Sequence, residues 1–189
     1  HRPPELAAWV AQVLTSPQLA RATARDLSNV LWAFATLQVS DEALLTSVGR
    51  RIIQADMLST LRGQDISAIA WSFATLNVYD EEVLHALAQA AAQKAVAASF
   101  TADHIAAMLW AYAKWSYYDQ PLLSALTRHM LFTSNVIGTF GSQNIATTIS
   151  ALSSLGLDNQ VLVEALARRC MEPSVLPTLH GQHISAILA

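Results

Sequence analysis

Apolar residues recur three and four positions apart along this chain, with polar residues between them. Leu27, Val30, Leu31, Phe34 and Leu37 fall on one face of a helix. A break follows at Gln38 to Ser40, and Leu44, Leu45, Val48 and Ile52 then mark a second helix. The first is called an A helix and the second a B helix. The same pair of patterns returns down the chain. No segment shows the sustained strict alternation of a strand, and there is no hairpin dipeptide.

Four windows make the repetition explicit: DLSNVLWAFATLQVSDEALL from Asp26, DISAIAWSFATLNVYDEEVL from Asp65, HIAAMLWAYAKWSYYDQPLL from His104 and NIATTISALSSLGLDNQVLV from Asn144. A fifth, HISAILA, begins at His183. The anchors Leu27, Ile66, Ile105, Ile145 and Ile184 lie 39, 39, 40 and 39 residues apart. Trp32, Trp71 and Trp110 hold one column, with Ser150 in the fourth copy; Phe34, Phe73, Tyr112 and Leu152 hold another. Asp41, Asp80 and Asp119 share a column that Asp158 joins if one residue is deleted before it. Fixed periods of this length mark stacked repeats. A helix pair so small cannot bury its own apolar faces, so neighbours must cover them. Both aromatic columns are therefore expected in the core between repeats.

The expected fold is all-α: one α-solenoid segment over 1–189, cut from a longer protein, with one concave groove. Its parts are a B helix at 4–15, repeats at 23–61, 62–100, 101–140 and 141–179, and a partial repeat at 180–189. Pro4 to Leu14 reads as a B helix without its partner, since proline suits a first helical turn. Thr23 and Thr101 are candidate N-caps for A helices, and Asp41 or its neighbour for a B helix. His104 and His183 share the helix-start column of Asp26, Asp65 and Asn144. Gly63, Gly141 and Gly181 are expected in turns, and Phe100 and Phe140 staple the chain into the next helix.

Composition narrows the function. Hydrophobic residues make up 53% and charged residues 13%, which excludes a disordered chain. The alanine-rich run from Ala86 to Phe100 reads as a helix passing from surface to core, too short and polar to span a membrane. No signal-like segment is visible. One cysteine, Cys170, excludes an internal disulfide framework or a cysteine-rich zinc site, and it reads as structural. The net charge of −3 gives no bulk attraction to nucleic acid. His180 and His183 lack the further ligands a metal needs and read as turn residues. No Gly-rich phosphate loop, nucleophile elbow or repeated carboxylate pair is present. Neither catalysis nor a cofactor or metal is expected.

The pattern DLSNVLWAFATL / DISAIAWSFATL / HIAAMLWAYAKW resembles the octotricopeptide repeat and the related repeats that accompany RAP domains. PPEL at Pro3 to Leu6 resembles that family's Pro-Pro-x-Glu-Trp lead-in, with Leu6 for Trp. Later B helices lack the proline run except for Pro121, and the fourth copy lacks its Trp. The resemblance implies an organellar RNA-binding protein of the mitochondrion or chloroplast, the mitochondrion slightly favoured. It would act in RNA maturation, stability or translation, or as a ribosome-associated component. The implied partners are single-stranded or ribosomal RNA and subunits of a ribosome or other complex. The alternative is a protein-interaction scaffold with little direct RNA contact, which the negative charge favours.

Two sets of residues are candidates for RNA. On A helices, the face opposite the apolar stripe holds the second, sixth and ninth positions after the anchor. It carries Asn29, Thr36, Ser72, Thr75, Lys114, Thr147 and Ser154. Such a variable polar stripe suits a modular base reader, one repeat per base, and equally suits a plain solvated face. On B helices, Arg50 and Arg51 recur as Arg128 and His129 and then as Arg168 and Arg169, with Gln89 and Ala90 in the second copy. Arginines at repeat spacing suit a phosphate backbone. They also suit the negative end of a helix, worth only about 0.3–1 kcal/mol each. Tyr117 and Tyr118 either stack on a base or close their turn.

Overall fold

A computed structural model describes residues 5, 8, 12, 17–133 and 135–188. Its α-helices are α1 (Pro17–Arg21), α2 (Ala24–Thr36), α3 (Glu42–Ile52), α4 (Ala55–Leu58), α5 (Gly63–Thr75) and α6 (Glu81–Ala92). They continue as α7 (Lys94–Ala97), α8 (Ala102–Lys114), α9 (Gln120–Phe132), α10 (Ser142–Ser154), α11 (Gln160–Cys170) and α12 (Gly181–Leu188). Short 3-10 turns cover Ile137–Thr139 and Leu176–Thr178. No strand occurs among the described residues. The expected all-α helical-repeat fold is the fold found. Most of the segment 4–15, including Pro4, lies outside the described residues, and so does most of PPEL.

The same local chemistry starts and stops each A helix. Thr23 N–H donates to Asp26 at 2.9 Å while Asp26 N–H donates to Thr23 Oγ1 at 3.2 Å, closing a reciprocal cap. Thr101 and His104 form the same pair, and Asp65 and His183 accept from the backbone N–H of Arg62 and His180. Asn144 instead donates to Asp103 of the preceding repeat at 2.7 Å. The A helices α2, α5, α8 and α10 are each followed by a residue in the left-handed region: Gln38, Asn77, Ser116 and Gly156, with φ of 54°, 60°, 50° and 69°. The next N–H then reaches back five residues, as Val39 does to Phe34 O at 2.9 Å. Gly63 lies inside α5 as its first residue, where an added Cβ would sit 2.7 Å from the Phe100 ring. Gly141 is the residue before α10, and Gly181 opens α12.

B helices start on Asp41, Asp80 and Asp119, each accepting from the N–H three residues on. In the fourth copy the cap is Asn159, accepting from Leu162 N–H at 3.0 Å. Asp158 is therefore not the equivalent residue. Asn159 stands in register with the anchor Ile145, so no deletion is needed.

Each repeat also holds a third element that the sequence pattern did not announce: α4, α7 and the turns at Ile137–Thr139 and Leu176–Thr178. Three or four residues are too few to show a period. The run from Ala86 to Phe100 accordingly breaks at Gln93, which is extended between α6 and α7. These short pieces wedge against the following B helices: α4 on α6, α7 on α9, and the 137–139 turn on α11. The A helices α2, α5, α8, α10 and α12 pack directly side by side. The A row is thus the tightly packed row, and the short pieces pack between successive B helices. A continuous core joins the rows through Leu27, Leu31 and Phe34, Ile66, Ile69 and Phe73, Ile105, Leu109 and Tyr112, and Ile145 and Leu152. Phe100 and Phe140 belong to the same core.

Candidate nucleic-acid interface

The tryptophan column is not in the core. Phe34, Phe73, Tyr112 and Leu152 are buried as expected, but Trp32 is 53% exposed and Trp71 and Trp110 are half-buried. At 3.6 residues per turn, the fifth position after the anchor sits about 140° round the helix and the sixth about 240°. The fifth lies nearly opposite the inward stripe, whereas the sixth lies at its flank, against a neighbouring A helix. Ser72 is fully buried there, donating to Ala68 O at 2.6 Å, and Ala111 and Ala151 are buried beside it. The outward stripe is thus the second, fifth and ninth positions. Ser72 faces the stack rather than solvent.

Three hollows run along this row. One of about 350 Å³ holds Asn29, Trp32, Gln64, Ala68 and Trp71. The next, about 300 Å³, lies between Trp71 and Trp110 beside Asp103, Asn144 and Thr147. The last, about 510 Å³, follows Trp110 and is edged by Lys114, Gln143, Thr147, Ser150 and Ser154. The Lys114 ammonium lies 5.6 Å from the Trp110 ring centre and 5.7 Å from that of Trp115, and donates to Ala74 O at 2.5 Å. The hydroxyls of Thr36 and Ser154 bond back to their own helices, and that of Thr75 is buried without a partner. Asn29 is exposed and Thr147 half-buried at the rim. The row therefore offers flat aromatic faces between amides and hydroxyls, with little charge.

The arginines belong to the B row and do not join this face. Arg51 places both terminal nitrogens on Asp56, at 2.9 and 2.8 Å, and one also on Gln54 at 2.8 Å. The pairing holds the Asp56 carboxyl below its usual range. Arg169 donates through Nε to Phe140 O at 3.0 Å and through its fork to Glu172 and Ser174. His129, in the same repeat column, reaches Phe100 O through Nε2 at 2.9 Å. The His129 and Arg169 contacts tie the ends of α9 and α11 to the chain leading into α8 and α10. Of the five arginines, only Arg50, Arg128 and Arg168 are exposed, Arg168 beside Glu164 at 3.4 Å. A five-arginine phosphate track is therefore not what the fold assembles.

The remaining suspects are structural or solvated. Burial pushes the Cys170 thiol pKa up, which disfavours the reactive thiolate. Tyr117 packs edge-on against Tyr112 at 5.7 Å, and Tyr118 is exposed. Among the described residues no His, Cys, Asp or Glu group converges to hold a metal, and no helix is long and apolar enough to cross a membrane.

Fold and face together define an α-helical repeat protein with indole-lined hollows along its A row. The sequence matches the family described as RNA-editing substrate-binding complex 6 protein over residues 5–189. The chain belongs to that family. No curated protein matches it. The octotricopeptide and RAP resemblance is thereby corrected, and the chloroplast and ribosome associations drawn from it fall away. The shared letters, D-L-x-x-x-x-W-A-x-A, encode a capped helix start, an apolar face and small residues at a helix seam. Any solenoid of closely packed A helices needs these, so they are poor at separating families.

Proposed function

We propose that this chain is a non-catalytic RNA-binding subunit of a mitochondrial RNA-editing substrate-binding complex, and that single-stranded RNA lies along the A row. The family's name supports the RNA and complex parts of this reading, and its kinetoplast setting favours the mitochondrion. The observation that carries the site is the column of exposed Trp32 and half-buried Trp71 and Trp110, one indole in each of three repeats, lining the hollows. Bases of any identity stack on such faces, each worth about 1–3 kcal/mol by alanine substitution. The amides and hydroxyls between them supply base-edge contacts. Lys114 supplies positive charge at the edge of the last hollow.

Fluorescence anisotropy with a single-stranded 20-mer tests this reading. Trp32→Ala, Trp71→Ala and Trp110→Ala should each weaken binding by about 1–3 kcal/mol. Arg50→Ala, Arg128→Ala and Arg168→Ala should leave affinity within about twofold, the size of a contact that carries no strand. One phosphate contact at Lys114 gives a log–log salt slope of roughly −0.7, against roughly −3.5 for five arginine contacts. Arginine-dominated binding, or none, defeats the proposal.

A second reading, a protein scaffold within the complex, is favoured by exposed Phe132, Val161 and Met171 on the B side and by the −3 charge. Crosslinking the native complex separates the two. Uridine adducts on peptides from α5, α8 and α10 carry the RNA reading. Protein crosslinks along both rows without RNA adducts carry the scaffold.

A further inference from the structure

The tryptophan column stops one repeat early. Where three copies set an indole on the outward edge of the A helix, the fourth has Ser150, and the hollow there is the widest of the row at about 510 Å³. That volume lies within the usual range for a small-ligand pocket. Its floor is small: Ala146, Ser150 and Ala151. One wall is the indole of Trp110.

The opposite wall is polar and held in place. His183 is buried and accepts the His180 N–H through Nδ1 at 3.2 Å, so its proton sits on Nε2. That proton goes to Gln143 Oε1 at 3.1 Å, while Gln143 Nε2 donates to Thr147 Oγ1 at 3.0 Å. Both ends of the Gln143 amide are thus fixed, yet each keeps capacity for a further bond. Lys114 is the charged side chain at the rim. After its bond to Ala74 O it has two N–H donors left.

Resting on the RNA reading above, we propose that this hollow receives one unstacked nucleobase of a single-stranded RNA. The base lies against Trp110, its edge meets the fixed amide of Gln143 and the hydroxyls of Thr147 and Ser150, and Lys114 meets the adjoining phosphate. A flat ring, a hydrogen-bonding edge and a nearby anion are the parts of a nucleotide, and a peptide side chain does not combine all three. The first three repeats thus present platforms, and the fourth presents a socket.

Ser150→Trp tests the socket by sign. It continues the column and fills the hollow. A socket predicts RNA affinity about tenfold weaker, the loss of one stacked base contact. A row of plain platforms predicts tighter binding from a fourth indole, and that result, or a change within twofold, overturns the proposal. Ser150→Leu fills the space without an aromatic face and should weaken binding as well; both variants are compared at matched far-UV spectra and melting midpoints. Adenosine monophosphate at millimolar concentration should not displace the strand from the wild type. Displacement at strand-like affinity marks a free-nucleotide site and overturns the strand assignment. A wild-type chain that binds no RNA sinks the RNA reading itself, whereas normal wild-type binding with an indifferent Ser150→Trp sinks only the socket.

Discussion

Replacing Arg169 by alanine separates a structural arginine from an RNA contact. Its side chain is 14% exposed, and Nε donates to Phe140 O at 3.0 Å. A hydrogen bond from a charged donor contributes about 1.5–3 kcal/mol. The pair with half-exposed Glu172 adds about 0–1 kcal/mol after solvent screening. The expected loss for Arg169→Ala is therefore about 2–3 kcal/mol. For a chain of this size that lowers the melting midpoint by roughly 4–12 °C, at about 2–4 °C per kcal/mol. Repeat stacks open locally, so the loss should be concentrated where the bond is. Hydrogen exchange should speed up by about thirtyfold or more in the first turns of α10, which Phe140 leads into. Arg169→Lys keeps the charge but not the fork, and should recover only part of the loss. RNA affinity of the folded fraction should be unchanged. A variant with wild-type melting and exchange but weaker RNA binding would refute the reasoning and restore Arg169 as a phosphate contact.

Tyr112→Phe removes the hydroxyl that donates to Leu84 O across repeats, at 2.5 Å, and should cost about 1 kcal/mol near neutral pH in urea unfolding. Burial raises the Tyr112 pKa well above 10.0, so its contribution is intact below about pH 10 and fades as pH climbs toward the folded value; the Phe variant should lose that share of the alkaline decline. An equally steep decline in the variant would refute this. Ser116→Gly relieves a left-handed residue at φ 50°, a gain of about 1–2 kcal/mol, less about 0.5–1 kcal/mol for glycine's freedom in the unfolded chain. Net stabilisation of about 0.5–1 kcal/mol is expected in thermal melts, and any destabilisation contradicts the end-of-helix geometry.

Much of this architecture was legible because it depends on local rules. Helix starts follow from side chains that satisfy the first backbone N–H groups, which is why Thr23, Thr101, Asp41, Asp80 and Asp119 could be assigned as a class. The inward faces followed from period alone. Asp158 was mistaken for Asn159 because an aspartate column is a stronger written signal than register. The short third elements were invisible because no period fits in four residues. The repeat's letters do not separate one solenoid family from another, because most of them record packing and capping needs that several share.

The sequence by itself determined the period, the order of A and B helices, most of their caps and the inward apolar stripe. Only the tertiary structure decided which outward residues meet solvent. Ser72 and Trp71 are adjacent in sequence, at about 240° and 140° from the anchor, one flanking the inward stripe and one nearly opposite it. A helical wheel sets the indole outward and the serine at the flank, but it cannot say what covers that flank. That flank packs toward the preceding A helix, as Asp65 does on Ser28, so the serine is buried while the indole stays half-buried and lines a hollow. The arginines divide in the same way: Arg50 stays in water while Arg51, one residue on, turns to Asp56. A stripe's partners are set by residues some 40 positions away, and periodicity within one helix carries no record of them.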